Sequence, residues 1–250
     1  MSISIAHGDE EGFVPEEVLP GALPVLPLID TVPFPDTLIP LAVGQERSIR
    51  LVNDVLAGNR MLVMVASRDP DNHEPGPEEL HEVGVAGIVA RMLKVPDGTL
   101  RILVQASERV RVTRFSATEP YLVAEIEEQP DILEPSAELT ALTRNVQSTF
   151  SQIIEGLPYL PEELQIAAAN LEDPSELAHL IAGALRGIKT EERQELLAEL
   201  AVAKRLRRLS ELLARELELI SIGTRIQSQV ESEIDKGQRE FFLRQQLKAI

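Results

Sequence analysis

Apolar residues between Leu23 and Glu127 fall in short runs broken by Pro, Gly and Asp, whereas from Leu139 onward they recur every three or four positions. The first spacing predicts strands and the second predicts helices. The chain therefore reads as α+β. Residues 21–130 form a β-rich lobe, residues 131–189 a helical bundle lobe, and residues 190–250 a long C-terminal helix.

In the β-rich part, Leu23–Leu28 and Val32–Pro35 are strand-like but carry prolines, which remove ladder donors and confine such segments to edges or bends. Leu38–Gly44 continues the apolar run, and Gln45–Leu56 switches to helical spacing through Ile49, Val52, Val55 and Leu56. Met61–Ala66 is wholly apolar, as in a strand buried on both faces. A turn or short helix at Glu78–His81 leads into a strand over Gly84–Val95. Pro96-Asp97-Gly98-Thr99 is the clearest hairpin signal, because Asp-Gly supplies the positive φ of a tight turn. Strands at Leu100–Gln105, Arg109–Phe115 and Tyr121–Glu127 follow, which suggests a small, partly open barrel or sandwich.

Beyond Pro130 and Pro135, taken as a linker between lobes, Leu139, Leu142, Val146, Phe150, Ile153 and Ile154 share one helical face. Pro161 opens a second helix and Asp173-Pro174-Ser175-Glu176 a third, with an N-cap residue, a first-turn proline and an acidic N3 residue in their preferred places. Thr190-Glu191-Glu192 caps a fourth. From there the stripe Leu196, Leu200, Ala203, Leu206, Leu209, Leu213, Leu217 and Ile220 meets no proline, which predicts one arm to Ile250 that leaves the bundle and packs against a partner. Gly223 and Gly237 are its expected bend points; in an ordinary bundle they would be loop glycines.

Charge changes the picture. The 250 residues carry a formal charge of -17, yet residues 201–250 hold 10 basic against 7 acidic side chains, net +3, leaving the remainder at net −20. Such a chain repels nucleic acid and anionic membranes, and aromatics make up only 3%. The absence of cysteine excludes disulfides and thiolate chemistry. Residues 1–20 combine acid clusters with Gly and Pro and lack the basic and apolar regions of a secretory signal, so they are expected to be a disordered leader on a cytoplasmic protein.

No phosphate-binding loop, dinucleotide fingerprint, nucleophile elbow or zinc helix occurs. His73-Glu74 with Glu78, Glu79, His81 and Glu82 has the composition of a metal cluster, but beside Pro and Gly it reads as a solvated loop. His179, on an apolar helix, reads as a core-edge histidine. No catalytic, cofactor-binding or metal-binding residue is therefore expected within the chain.

Three stretches carry a resemblance. They are Leu23–Leu28 through Phe34-Pro35, Ile39-Pro40-Leu41 and Val43-Gly44; Glu82-Val83-Gly84 with Met92-Leu93-Lys94 and Pro96–Thr99; and Glu191–Leu197 through Asp235–Ile250. Together they resemble the N-terminal domain of Lon proteases. The departures are Ile29 and Gln45 in place of arginine, Gly237 in place of asparagine, and Phe241-Phe242 in place of paired tyrosines. The resemblance implies a PUA-like β lobe, a helical lobe and a long helix, followed beyond Ile250 by an ATPase domain that binds ATP and Mg and a Ser-Lys protease domain, assembled as a homohexamer. It further implies that this non-catalytic part captures unfolded, damaged or short-lived regulatory proteins and supports the ring. A stand-alone PUA-like ligand- or RNA-binding module is the alternative. Candidate client or partner contacts are Phe34, Leu213, Leu217, Phe241 and Phe242, with Gly223 and Gly237 as hinges; the plainer reading of each apolar residue is core or interhelix packing, since an apolar helical stripe is usually buried.

Overall fold

The computed structural model describes residues 19–248, the side chains of 235 and 237–248 excepted. Residues 1–18 of the expected leader lie outside the described residues, as do the side chains of Phe241 and Phe242. The elements run β1 (Ala22–Leu28), β2 (Leu38–Val43), α1 (Glu46–Ala57), β3 (Met61–Ala66), β4 (Val83–Lys94), β5 (Leu100–Ala117), β6 (Val123–Glu128), α2 (Ala137–Gly156), α3 (Glu162–Asn170), α4 (Pro174–Ala184), α5 (Thr190–Ala198) and α6 (Val202–Lys248), with a 3-10 turn at Pro77–Glu79.

The sheet order is β2-β5-β4-β3-β1-β6, and β6 pairs again with β5. Five strands thus close a small barrel, with β2 attached outside the ring along the first part of β5. This closure depends on the length of β5. The alternation pattern predicted two strands, Leu100–Gln105 and Arg109–Phe115; they are one 18-residue strand. Its register against β4 shifts between Val85 and Gly87, opposite Ser107 and Glu108, and a bulge of this kind bends a strand so that it serves different neighbours at its two ends. Ser107 Oγ holds the bulge by donating to Ala86 O.

Period-two alternation divides the barrel walls between two cores. Leu23, Val25, Val63, Val65, Ala86, Val110, Val112 and Ala124 fill the interior. Leu26, Leu28, Leu62, Met64 and Ala66 point outward and join the helices in a larger core, so β3 is buried on both faces. Strands approach closely at Gly84, where a Cβ would lie 2.4 Å from Met64 O. Gly98 supplies the positive φ, 89°, of the β4–β5 hairpin.

Three expectations are corrected. Val32–Pro35 is a loop rather than a strand, and Val32 and Phe34 plug the larger core from it. The connection between the lobes is no free linker, because Ile132 N donates to Leu200 O at 2.8 Å, Val202 N donates to Ile132 O at 3.1 Å, and one apolar cluster spans both lobes. The arm does not begin at Thr190: α5 ends at Ala198, and the chain breaks helix over Glu199–Ala201 to pair Ala201 with Ile132. Asp173 caps α4 as predicted, accepting from Ser175 N and Glu176 N.

Helix α6 then runs 47 residues, about 70 Å at 1.5 Å per residue. Leu206, Leu209, Leu212 and Leu213 are buried against the bundle, and Leu217 and Ile220 are half-buried. From Gly223 to Ile234 every described side chain is exposed. Helix continues through Gly223 and Gly237.

Candidate functional site

Phe34 and Leu213 are buried, at 2% and 0% exposure. Neither can meet a client while the fold is intact. Phe34 lies against His179, with ring centroids 5.8 Å apart, and Leu217 packs on the bundle core. The apolar groups that do face outward are others.

On β5, Leu100, Ile102 and Val104 face the core, so the intervening Arg101, Leu103 and Gln105 face away. Register places Pro40 and Arg91 beside Leu103, Ala42 and Leu93 beside Arg101, and Leu38 beside Gln105. The outer face of this three-stranded ribbon therefore carries Leu38, Pro40, Leu103 and Leu93 as an oblique apolar path flanked by Arg91 and Arg101. Leu38 is 52% and Leu93 67% exposed. Large contiguous apolar patches are the surfaces that protein-binding faces use. The alternation was visible in the sequence, but the side of β5 that faces water depends on where the helices pack.

A second apolar stripe follows the projecting part of α6, where Leu219, Ile226, Val230 and Ile234 are exposed at spacings of seven and four. The stripe read from sequence ends at Ile220, on the packed side of the helix, and does not include these residues.

Between these surfaces lies a buried polar junction that the sequence reading missed. Arg109 of β5 and Arg205 of α6 both bind the carboxylate of Asp131, Arg109 Nη1 at 2.6 Å from Oδ1. Ser175 of α4 donates to the same carboxylate, and Arg205 also donates to Glu199 O at the helix break. His179 Nε2 lies 3.2 Å from Arg109 Nη2 and 3.1 Å from Arg205 Nη1. Both neighbours are obligatory donors, so Nε2 accepts and the ring proton sits on Nδ1, which is buried without a partner. The signal available in the sequence was an arginine on the Val202, Leu209 and Leu212 stripe, where the spacing demands burial.

Burial, then the charges of Arg205 and Arg109, push the His179 pKa down to about 3. The neutral ring belongs to the fold, whereas an unfolded histidine takes up a proton near pH 6.5. Stability should be full above that pH and fall as pH drops toward about 3, by up to about 1.4 kcal/mol per unit. Urea unfolding at pH 7, 6, 5 and 4.5 is expected to show this slope, and His179→Gln to flatten it; equal slopes in the two proteins would refute the assignment.

The His73–Glu82 segment is a structural loop. The Glu79 carboxylate accepts from Asn72 Nδ2 and from Gly76 N at 2.8 Å, and no three His, Asp or Glu side chains converge on a metal-sized site among the described residues. No described helix is long and apolar enough to cross a membrane.

The family described as the ATP-dependent protease La (LON) substrate-binding domain matches residues 22–215. The Lon protease of Dictyoglomus thermophilum is 42% identical over 232 residues, covering 93% of this chain and 29% of that protein. That of Koribacter versatilis is 39% identical over 248 residues, covering 99% and 30%. The chain thus spans under a third of the length of these relatives. The N-terminal domain of Mycobacterium avium complex Lon protease superposes with a TM-score of 0.65 at 21% identity, covering 77% of this chain and 98% of that one. A Lon N-terminal domain protein from Xanthomonas campestris gives 0.54 at 21%, covering 75% and 96%. These likenesses carry the fold, and the family match and the closer sequences carry the assignment: the chain belongs to the substrate-binding domains of the Lon family of ATP-dependent proteases.

Proposed function

We propose that this chain captures unfolded, damaged or short-lived regulatory proteins for a cytoplasmic ATP-dependent serine protease of the Lon type, and that it contributes no catalytic residue itself. The observation that carries the proposal is the exposed apolar path Leu38, Pro40, Leu103 and Leu93. Extended, unfolded segments expose the apolar side chains that such a face can cover. The Ser-Lys pair and the ATP and Mg sites belong to the rest of the longer protein. The arm serves assembly of the homohexamer, for which the stripe Leu219, Ile226, Val230 and Ile234 supplies an apolar seam. A net charge of -17 leaves nucleic acid and anionic membrane surfaces unsuited as partners.

The double variant Leu38→Ser/Leu93→Ser tests the capture face. Both side chains are exposed, so the melting temperature should hold. Affinity for a permanently unfolded client, such as reduced and carboxymethylated lactalbumin, should fall about 10-fold, the result of losing about 1.4 kcal/mol of apolar contact. Unchanged affinity, measured by fluorescence anisotropy, would remove this face from the proposal.

A further inference from the structure

The barrel wall has a gap beside the capture face. β6 pairs with β1 only at Ala22–Pro24, while β3 takes the opposite side of Val25–Leu28. Val25 N still donates to Leu122 O at 2.8 Å, and beyond it one edge of β1 is bare. β2 pairs only with β5, so its far edge is bare too. The two edges line a cleft of about 370 Å³ whose floor includes Leu26, Leu28, Leu41 and Val43. Thr37 O accepts from Ala106 N, which sets the alternation: the backbone groups of Leu38, Pro40 and Ala42 point away from β5. Proline has no N–H, so this edge offers the N–H of Leu38 and Ala42 and the carbonyls of all three.

The cleft also reaches the start of α1. Gln45, the N-cap residue, makes no side-chain cap bond, and the first helical bond is Ile49 N to Gln45 O. The N–H groups of Glu46, Arg47 and Ser48 therefore have no acceptor within the helix, and the helix dipole adds partial positive charge there. A second observation points to a ligand. Ser48 is nine-tenths buried and lines the cleft, yet its hydroxyl has no partner among the described residues, unlike that of Thr143, which donates to Leu139 O. Arg47 also lines the cleft, its Nη2 donating to Pro75 O at 2.9 Å. Asp30 is the one carboxylate in the lining and opposes an anion; the free N–H groups, the Ser48 hydroxyl and the Arg47 charge outnumber it.

We propose that this cleft binds the free C-terminal carboxylate of a client polypeptide, held by the start of α1, Ser48 and Arg47, with its last residues laid along the bare edge of β2. At a strand spacing of ~4.8 Å, a sheet spacing of ~10 Å and a rise of ~3.3 Å per residue, the cleft holds about two extended residues. The apolar floor receives the terminal side chain. A lone inorganic anion would use the donors but neither the floor nor the strand edge. The inference rests on the reading of the chain as a client-capturing domain and gives that domain a preference for chain ends.

Two fluorescein-labelled hexapeptides ending in Ala-Leu, one with a free carboxylate and one C-terminally amidated, separate the possibilities when titrated against the 250-residue chain. The amide should bind at least about 10-fold more weakly, since hydrogen bonds to a charged group contribute about 1.5–3 kcal/mol. Arg47→Gln and Ser48→Ala should each weaken the free acid several-fold and leave the amide unchanged, with melting temperatures confirming that both variants fold. Equal binding of acid and amide, or binding of neither, overturns the proposal. If both bind alike and both are lost in Leu38→Ser/Leu93→Ser, the capture face stands while the carboxylate site falls.

Discussion

Asp131→Ala is expected to lower the unfolding free energy by about 3–5 kcal/mol, the usual consequence of removing one partner from a buried ion pair. The carboxylate answers two guanidiniums at once, Arg109 and Arg205, whose side chains are 2% and 1% exposed. Without it, two positive charges and the Ser175 hydroxyl face one another inside the fold. Arg205 keeps neutral partners only, Glu199 O, Ser175 Oγ and His179 Nε2, and Arg109 Nη1 keeps only a long contact of 3.4 Å to Gln129 O. Burial works to raise the Asp131 pKa, but hydrogen bonds from Arg205 and Ser175, the Arg205 charge and the Arg109 hydrogen bond together hold the carboxyl well below the usual carboxylate range. Its contribution should therefore be present above pH 4 and be lost as pH falls further. Asp131→Asn, which keeps an acceptor of the same shape without the charge, should cost less than Asp131→Ala. Urea unfolding followed by circular dichroism measures all three proteins. A loss under about 1 kcal/mol for Asp131→Ala would mean that water replaces the carboxylate and that the junction is not a structural keystone.

The place of this junction gives it a second consequence. Arg109 lies on the barrel, Asp131 on the connection, Ser175 and His179 on α4, and Arg205 one turn into α6. The start of the arm is thereby bonded to the barrel that carries the proposed capture face. A rigid relation between the two is what a domain needs if a captured segment is to be presented in a fixed direction along the arm.

Much of the fold was legible because period-two and period-3.6 patterns rest on local geometry. β3 as a strand buried on both faces, the Asp97-Gly98 hairpin, the Asp173 cap on α4 and the helix at Glu46–Ala57 all follow from neighbours in sequence. What was not legible depends on distant partners. The single strand β5 required a bulge whose need arises from closing the ring. The break at Glu199–Ala201 has no Gly or Pro to announce it and arises because Ile132, far away in sequence, pairs there. The candidate site suffered most. An apolar residue can be assigned to core or surface only once the side on which the helices dock is known: Phe34, a candidate client contact whose plainer reading is core, is buried, and Leu38, four residues on and given no role from sequence, is exposed.

Phe34→Ala separates the two readings of Phe34, client contact and core packing, because they predict opposite outcomes. As a client contact, Phe34 would be dispensable for folding and its loss would weaken binding alone. As the structure has it, the ring leaves the loop between β1 and β2 and enters the larger core beside the His179 ring, so close to Gly183 that a Cβ added there would lie 3.9 Å from it. Truncation then removes a buried aromatic and leaves a cavity that a loop framed by Pro33 and Pro35 is too stiff to fill. A loss of about 3–5 kcal/mol is expected, with Phe34→Leu nearer 1.5 kcal/mol or less. Client affinity, measured well below the unfolding transition, should stay close to the parent value, because Leu38 and Leu93 lie on the other side of the ribbon. Wild-type stability combined with lost binding would restore Phe34 as a client contact.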